Sequence, residues 1–181
     1  MPASNLPVQL TSFVGRTAEV AAVDELLGRV RLVTLIGPGG AGKTRLAWQV
    51  AAGRFERVCD GTWWVELAAL DDAGEVAGAV AEACRAPLDR ARGPLRSLTR
   101  QFAGRCPLVV LDNAEHVLDA VAEVAEALLL GCPGVTVLVT SREPLGVPGE
   151  VSYPVPGLPV ADAVRLFVER ATAAAPSFKL T

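Results

Sequence analysis

The sequence predicts an α/β fold, a three-layer sandwich in which helices cover both faces of a mostly parallel sheet. Short apolar segments of strand composition alternate with amphipathic helical patterns along the chain, as in βαβ units. One such segment runs directly into a glycine-rich turn, and another ends in an aspartate. Uninterrupted apolar runs of this kind are typical of parallel strands that are buried on both faces.

The predicted elements follow in a regular order. Residues 1–12 are predicted to be an irregular lead-in, because Pro2, Asn5 and Pro7 oppose a helix. Strands are predicted at 32–36, 62–67, 108–111 and 135–140, with a short one around 151–155. Helical patterns cover about 20–30, 43–53, 72–84, 95–102, 116–130 and 164–171. The tryptophans of the second strand are expected to pack in the core or on a sheet face.

Composition excludes several classes of protein. No stretch approaches the ~20 apolar residues of a membrane span, and the N-terminus lacks the pattern of a signal peptide. The four cysteines are widely spaced and there is one histidine, so a metal or disulfide framework is not expected. These features predict a cytoplasmic protein without membrane contact.

A net charge of −3 argues against direct nucleic acid binding by this segment. One region is nevertheless locally basic, and we interpret it as a solvated helix face. Its arginines are Arg90, Arg92, Arg96, Arg100 and Arg105.

The glycine-rich turn carries the clearest chemistry. Residues 37–44, GPGGAGKT, fit G-x-x-x-x-G-K-[ST], the P-loop or Walker A pattern, between a predicted strand and a predicted helix. Glycines allow backbone N–H groups to turn inward around phosphate, Lys43 would neutralise phosphate oxygens, and Thr44 would bind Mg²⁺. The predicted nucleotide-binding residues here are Gly37, Pro38, Gly39, Gly40, Ala41, Gly42, Lys43, Thr44 and Arg45.

Two alternatives apply to the same residues. Gly37, Gly39 and Gly42 also spell G-x-G-x-x-G, the dinucleotide-binding pattern, which does not need Lys-Thr directly afterwards. A turn that only redirects the chain would need neither the lysine nor the hydroxyl. Both explain the segment less well than a phosphate cradle.

Two further residues are predicted at the same edge of the sheet. Asp112 ends an apolar strand about seventy residues after the P-loop, which is the Walker B arrangement for holding Mg²⁺. Its alternative role, shared with Asn113, is a helix N-cap. Arg142 ends the next strand and would contact the γ-phosphate, the alternative being a surface salt bridge with Glu143 or Glu150. Lys43, Asp112 and Arg142 are thus the candidate catalytic residues, and Thr44 and Asp112 the candidate metal ligands.

Together these motifs resemble the nucleotide-binding domain of STAND-class ATPases, the NB-ARC-like modules of bacterial SARP- and LuxR-type transcriptional regulators. The resemblance covers about residues 6–171. Its four landmarks are FVGRTAE (13–19), the P-loop, LVVLDNAEH (108–116) and VTSREPLGV (139–147). It implies a P-loop NTPase domain over 13–175 followed by a tail at 176–181, base contacts by Val14 and Arg16, and a sensor role for Arg142.

The sequence departs from the family pattern at two places. Asn113 stands where many relatives have a second acid, so the carboxylate that polarises water is missing there. Glu115 could substitute, but we favour an ordinary place in the first turn of a helix. The segment 157–159, GLP, is similar to the lid motif, yet the helix after it matches the segment that leads into the lid. The resemblance therefore implies a chain that stops before the lid and later domains.

The predicted function is a switch module that binds ATP or ADP with Mg²⁺, hydrolyses ATP slowly and regulates a larger signalling or transcription-regulating protein. Its further partners would act within the same protein, or by self-association, through the missing domains. Two alternatives remain open: a metabolic P-loop phosphotransferase, for which no acceptor pocket or base is evident, and a degenerate P-loop scaffold, against which Lys43, Thr44 and Asp112 argue.

Overall fold

The computed structural model describes residues 4–87, 89, 91, 93–175 and 178. The strands are β1 (Leu32–Ile36), β2 (Thr62–Glu66), β3 (Leu108–Asp112), β4 (Thr136–Ser141) and β5 (Glu150–Pro154). The helices are α1 (Thr17–Leu27), α2 (Lys43–Arg54), α3 (Val76–Ala83), α4 (Pro94–Gln101), α5 (Leu118–Gly131) and α6 (Val160–Ala174). Short 3₁₀ turns lie at Ala73–Glu75 and Ala114–His116.

The strands form one sheet in the order β2-β3-β4-β1-β5, and every pairing between them is parallel. β1 lies between β4 and β5, with Ile36 opposite Ser141 and Pro154. β3 lies on the other side of β4, and Asp112 is opposite Glu66 of β2. The carboxyl ends of β1, β3 and β4 therefore meet at one edge, where open α/β sheets bind ligands.

Two apolar cores cover the two faces of the sheet, as the predicted three-layer sandwich requires. Because successive side chains of a strand point to opposite faces, Trp63 belongs to the core under α3, α4 and α5, and Trp64 to the core under α1 and α2. Both tryptophans are buried. The prediction that they pack in the core is confirmed.

Element boundaries differ from the predicted ones by up to four residues, most at α1 and α6, which begin at Thr17 and Val160. Two other helices differ because a 3₁₀ turn precedes them. The predicted helix at 116–130 begins only at Leu118, because the backbone of Val117 is not helical (φ −131°). The predicted helix at 72–84 is likewise divided into a 3₁₀ turn and α3. None of the helices in the described ranges combines the length and the apolar character needed to cross a bilayer.

The described part of the lead-in, residues 4–12, lies against the domain. Asn5 pairs with the backbone of Trp64 through both ends of its amide, at 2.6 and 2.8 Å, and thus occupies the free edge of β2. Trp48 of α2 donates from its indole to the carbonyl of Pro7 at 2.8 Å. Residues 1–3, most of the predicted tail (176, 177 and 179–181), and Arg90 and Arg92 of the basic region lie outside the described residues. The other three arginines of that region are exposed.

Candidate nucleotide-binding site

The P-loop connects β1 to α2 in a conformation that needs glycine at several positions. Gly40 and Gly42 have left-handed backbone angles, with φ of 76° and 88°, which residues with a side chain rarely adopt. A Cβ atom on Gly37 would lie 2.8 Å from the carbonyl oxygen of Val155. At Gly40 a Cβ would meet no atom within 4 Å. The loop is therefore tightly fitted at its start and open at its tip.

Lys43 is the first residue of α2, and its side chain turns back into the loop. The residue is 8 % exposed. Its ammonium donates to the carbonyls of Gly37 at 2.8 Å and Pro38 at 3.1 Å. The positive charge thus lies within the curve of the loop, next to the N-terminus of a helix. Both features favour an anion at this position.

The next residue, Thr44, joins a small polar cluster at the ends of β3 and β4. Its hydroxyl donates to Oδ1 of Asp112 at 2.9 Å. The hydroxyl of Thr140 donates to the same oxygen at 2.6 Å and accepts from the backbone N–H of Asn113 at 2.9 Å. Asn113 does not cap the 3₁₀ turn with its side chain. Asp112 thus accepts hydrogen bonds from the hydroxyls of Thr44 and Thr140, and its role as a Mg²⁺ ligand stays a prediction.

The charge around Asp112 favours a cation. Burial raises the pKa of Asp112, and the hydrogen bonds from Thr140 and Thr44 oppose that rise. The negative charges of Glu66 and Glu115 raise the pKa further. Asp112 is only 5 % exposed, so an ionised carboxylate here is poorly compensated by water.

This donor set fits Mg²⁺, which commonly takes one or two protein oxygens and completes its shell with phosphate and water. A hydroxyl and a carboxylate, from Thr44 and Asp112, already adjoin each other beside the P-loop. No group of three or more His, Cys, Asp or Glu side chains that could hold a metal occurs among the described residues.

Arg142 follows β4 and reaches toward the P-loop. Its Nη2 atom lies 3.7 Å from the position that a Cβ on Gly39 would occupy. Its Nε donates to Oε1 of Glu115 at 3.2 Å. The alternative role for Arg142 was a salt bridge with Glu143 or Glu150, but its carboxylate partner here is Glu115. The carboxylate of Glu150 accepts from the backbone N–H groups of Leu145 and Gly146. Glu115, for which we favoured the first turn of a helix, lies in the 3₁₀ turn before α5.

Two other predicted nucleotide-binding residues, Arg16 and Arg45, donate hydrogen bonds to other parts of the chain. Arg16 is buried, has a left-handed backbone (φ 63°), and donates to the carbonyls of Ala41 at 2.7 Å and Pro156 at 2.6 Å. It therefore ties the P-loop to the segment after β5. Arg45 donates to the side chain of Gln9 and to the carbonyls of Thr11 and Ser12, both at 2.8 Å.

A cavity of about 480 Å³ opens beside the P-loop, on the side of the lead-in. Its volume is in the range of small-molecule sites. The predicted residues Val14, Arg16 and Arg45 line it together with the loop tip. The remaining lining residues come from the lead-in, the segment after β5 and α6, and are Thr11, Ser12, Phe13, Gly157, Leu158, Leu166 and Arg170.

Sequence reasoning missed Thr140. A threonine at the carboxyl end of an otherwise apolar strand is a usable signal, but only the register of β4 beside β3 places its hydroxyl on Asp112. The contribution of α6 and of Gly157–Leu158 to the cavity was also not predicted, because it depends on how β5 leaves the sheet.

No protein-family model matches the chain. A protein of Mycobacterium tuberculosis named "Putative HTH-type transcriptional regulator" is 46% identical over 156 residues, which is 86% of this chain and 18% of that protein. A second M. tuberculosis protein, named as uncharacterized, is 42% identical over 163 residues, 90% of this chain and 42% of its own length. The chain thus spans less than half of each of these curated relatives.

Solved structures with the same fold include three from archaea. Cdc6p of Pyrobaculum aerophilum superposes with a TM-score of 0.66 at 18% identity, over 93% of this chain and 52% of that one. A STAND protein with a tetratricopeptide repeat sensor from Pyrococcus horikoshii gives 0.58 at 18%, over 96% and 27%. The ORC2 protein of Aeropyrum pernix, in ADPNP and ADP complexes, gives 0.61 at 15%, over 90% and 54%. The chain has the three-layer α/β fold of the P-loop ATPases.

Proposed function

We propose that this chain is a nucleotide-dependent switch module that binds ATP or ADP with Mg²⁺ and hydrolyses ATP slowly. The observation that carries the proposal is the convergence of three side chains at one edge of the sheet. The ammonium of Lys43 lies within the P-loop. The hydroxyl of Thr44, in the first turn of α2, is hydrogen bonded to Asp112 at the end of β3. A loop that only redirected the chain would need none of these contacts.

Each residue has a defined task toward the nucleotide. The open tip of the P-loop would present its backbone N–H groups to the phosphates. Lys43 would exchange its carbonyl partners for phosphate oxygens, which are stronger acceptors because they are charged. Thr44 and Asp112 would hold Mg²⁺, which supplies charge neutralisation between the phosphates when bound. The 480 Å³ cavity is the proposed site of the base, with Val14 as an apolar contact.

Arg16 lines this proposed base site and is held by hydrogen bonds to the backbone around it. Its hydrogen bonds to the carbonyls of Ala41 and Pro156 join the P-loop to the segment after β5, so we assign it to shaping the cavity and the P-loop. Arg45 would act in the same way by holding the lead-in over α2. Both retain cavity-facing surface, and a direct contact to nucleotide is a secondary role for each.

Slow hydrolysis follows from the residue after Asp112. Asn113 carries an amide, which cannot accept a proton from water as a carboxylate does. Lys43 and Mg²⁺ would contribute positioning and charge stabilisation, but position 113 itself offers no base. Arg142, beside the tip of the P-loop, would contact the γ-phosphate and distinguish ATP from ADP.

We further propose that the module regulates a larger protein of the STAND type, in the manner of NB-ARC-like domains in SARP- and LuxR-type regulators. The sequence relationship to a longer protein named as an HTH-type regulator supports this, as does the likeness to a STAND protein with a repeat sensor. The nucleotide-binding unit is proposed to span 13–175, with a cytoplasmic location. Partners would contact it through other domains, and the net charge of −3 favours a segment that does not itself bind nucleic acid.

A calorimetric titration with ADP and with a non-hydrolysable ATP analogue, each with and without Mg²⁺, tests the proposal. We expect saturable binding of one nucleotide per chain, strengthened by Mg²⁺ and weakened in Thr44→Ala. Phosphate release measured in parallel should be slow. Absence of binding to the wild type would contradict the proposal, and turnover of many per second would favour a metabolic enzyme.

A further inference from the structure

Glu115 is placed unlike an ordinary surface acid. It lies in the 3₁₀ turn that follows β3, three residues after Asp112, and its side chain is only 17 % exposed. Oε1 accepts from Nε of Arg142 at 3.2 Å. Oε2 is buried and has no hydrogen-bond partner among the described residues. A buried carboxylate oxygen without a hydrogen-bond donor is costly in free energy. A bound group that donates to Oε2 of Glu115 would remove this cost.

The surroundings of Glu115 point to the phosphate end of the site. Its charge acts on Asp112, one of the two proposed Mg²⁺ ligands. Its partner Arg142 lies next to Gly39, at the tip of the P-loop. The side chain of Arg142 is 66 % exposed, so the guanidinium has room to move between Glu115 and a group bound over the loop.

We propose that Glu115 is the carboxylate that orients the attacking water, and that Arg142 pairs with it until a γ-phosphate takes over the guanidinium. The inference rests on the proposed function. It also explains why hydrolysis is slow, because the acid is available only after Arg142 has moved. Glu115 would thereby supply the carboxylate that the amide of Asn113 cannot provide.

The step balances without any further reactant. Arg142 would turn its guanidinium from Glu115 toward the γ-phosphate, for which its planar donors are well suited. Glu115 would then accept a hydrogen bond, and finally a proton, from the water whose oxygen bonds to the γ-phosphorus. The bond from that phosphorus to the β–γ bridging oxygen breaks, and ADP keeps the electron pair. Glu115 returns its proton to the phosphate product.

A purely structural Glu115, which only holds Arg142 in place, makes a different prediction. Glutamine in its place keeps the shape and an acceptor for Arg142, but it cannot take a proton. If Glu115 is catalytic, Glu115→Gln should lower turnover at saturating ATP. It should not weaken ATP binding, because the loss of the competing negative charge releases Arg142 toward the γ-phosphate. If Glu115 only positions Arg142, the variant should keep its turnover, because the glutamine amide oxygen still accepts from the guanidinium.

The test compares wild type, Glu115→Gln and the control Asp119→Asn, which removes a nearby exposed acid from the first turn of α5. Single-turnover hydrolysis of saturating Mg-ATP, calorimetric affinities for ADP and an ATP analogue, and thermal melts are measured on each. We expect Glu115→Gln to lose about 100-fold in turnover, as for other general bases. Its affinity ratio of ATP analogue to ADP should stay equal or rise, and Asp119→Asn should match the wild type.

Turnover of Glu115→Gln within about 3-fold of wild type would overturn the inference, as would a fall in its affinity ratio. Wild-type protein that binds nucleotide without any phosphate release would also overturn it, while leaving nucleotide binding intact. Failure of the wild type to bind nucleotide would instead contradict the proposed function, so the two failures are distinguishable.

Discussion

The hydroxyl of Thr44 donates to Oδ1 of Asp112 at 2.9 Å, across 68 residues of sequence. This contact joins the first turn of α2 to the carboxyl end of β3 and brings together the two proposed Mg²⁺ ligands. Thr140 donates to the same oxygen at 2.6 Å. Two hydroxyls thus compensate a buried carboxylate whose pKa is raised by burial.

The first prediction concerns the stability of this cluster. Because the folded-state pKa of Asp112 is raised, the folded protein binds protons more readily there than the unfolded chain does. The ionised carboxylate therefore lowers stability as pH rises through its folded pKa. Asp112→Asn keeps an acceptor for both threonines and removes the charge. Its Tm should rise by roughly 2–4 °C at neutral pH, as expected for about 1 kcal/mol in a chain of this size.

The same variant should lose most of the dependence of nucleotide affinity on Mg²⁺. Thermal melts without nucleotide and titrations at two Mg²⁺ concentrations measure both effects. Asp119→Asn serves as the control, since it removes an exposed acid of α5. A lower Tm together with unchanged Mg²⁺ dependence would show that Asp112 is a structural residue.

A second prediction concerns Arg142. Its removal should abolish most of the preference for ATP over ADP, because the guanidinium is proposed to contact only the γ-phosphate. Arg142→Ala should weaken binding of an ATP analogue by about 10-fold, corresponding to ~1.4 kcal/mol, and leave ADP affinity nearly unchanged. Arg100→Ala, on the exposed face of α4, is the matched control. Equal losses for both nucleotides would reduce Arg142 to a structural role.

A third prediction separates two roles for Arg16. Its hydrogen bonds to Ala41 and Pro156 are charge-assisted, and each such bond contributes roughly 1.5–3 kcal/mol. Arg16→Ala should therefore destabilise the protein by about 2–3 kcal/mol in urea unfolding and weaken nucleotide binding as a consequence. Arg29→Ala, which removes an exposed pair with Glu25, should cost under about 1 kcal/mol. Unchanged stability with weaker binding would favour a direct base contact by Arg16.

A fourth prediction concerns acid sensitivity at the joint between α1 and α2. Asp24 accepts from Arg54 at 2.8 Å and from Arg57 at 2.9 Å. Burial alone would raise its pKa, but the two arginines outweigh burial and hold the pKa below 3.8. The stabilisation is therefore present above the unfolded pKa and is lost as pH falls through the folded pKa.

Asp24→Asn should reduce stability by about 1 kcal/mol at pH 7, as for a favourable partly exposed pair. The difference from wild type should shrink as the pH of the urea titration is lowered below about 4. Glu25→Gln, at the neighbouring exposed acid, should show little difference at either pH. A constant difference between Asp24→Asn and wild type across this range would refute the linkage.

Local patterns predicted the fold and the P-loop, because strand order in the sequence and the glycine requirements are local properties. The five strands lie within two residues of their predicted positions. The break at Val117 was not visible, since nothing in the sequence 114–118 opposes a helix. With that break, Glu115 lies in the 3₁₀ turn before α5.

Partners of long side chains were the least predictable part of the site. The roles of Arg16, Arg45 and Arg142 as ligand contacts stay predictions. Their present partners, backbone carbonyls for Arg16, the lead-in for Arg45 and Glu115 for Arg142, depend on how the segment after β5, the lead-in and the 3₁₀ turn meet. Sequence spacing contains no information on those distances.

Titration of Mg-ADP into wild type and Lys43→Ala measures how much nucleotide binding depends on Lys43. Lys43 lies in the curve of the P-loop, so its loss should remove about 2–3 kcal/mol of binding free energy, roughly 30- to 150-fold in affinity. Arg29→Ala is the control for loss of a positive charge elsewhere. We expect saturable binding by the wild type and the control, with severely weakened binding by a folded Lys43→Ala. Equal affinity for Mg-ADP in wild type and Lys43→Ala would contradict this expectation.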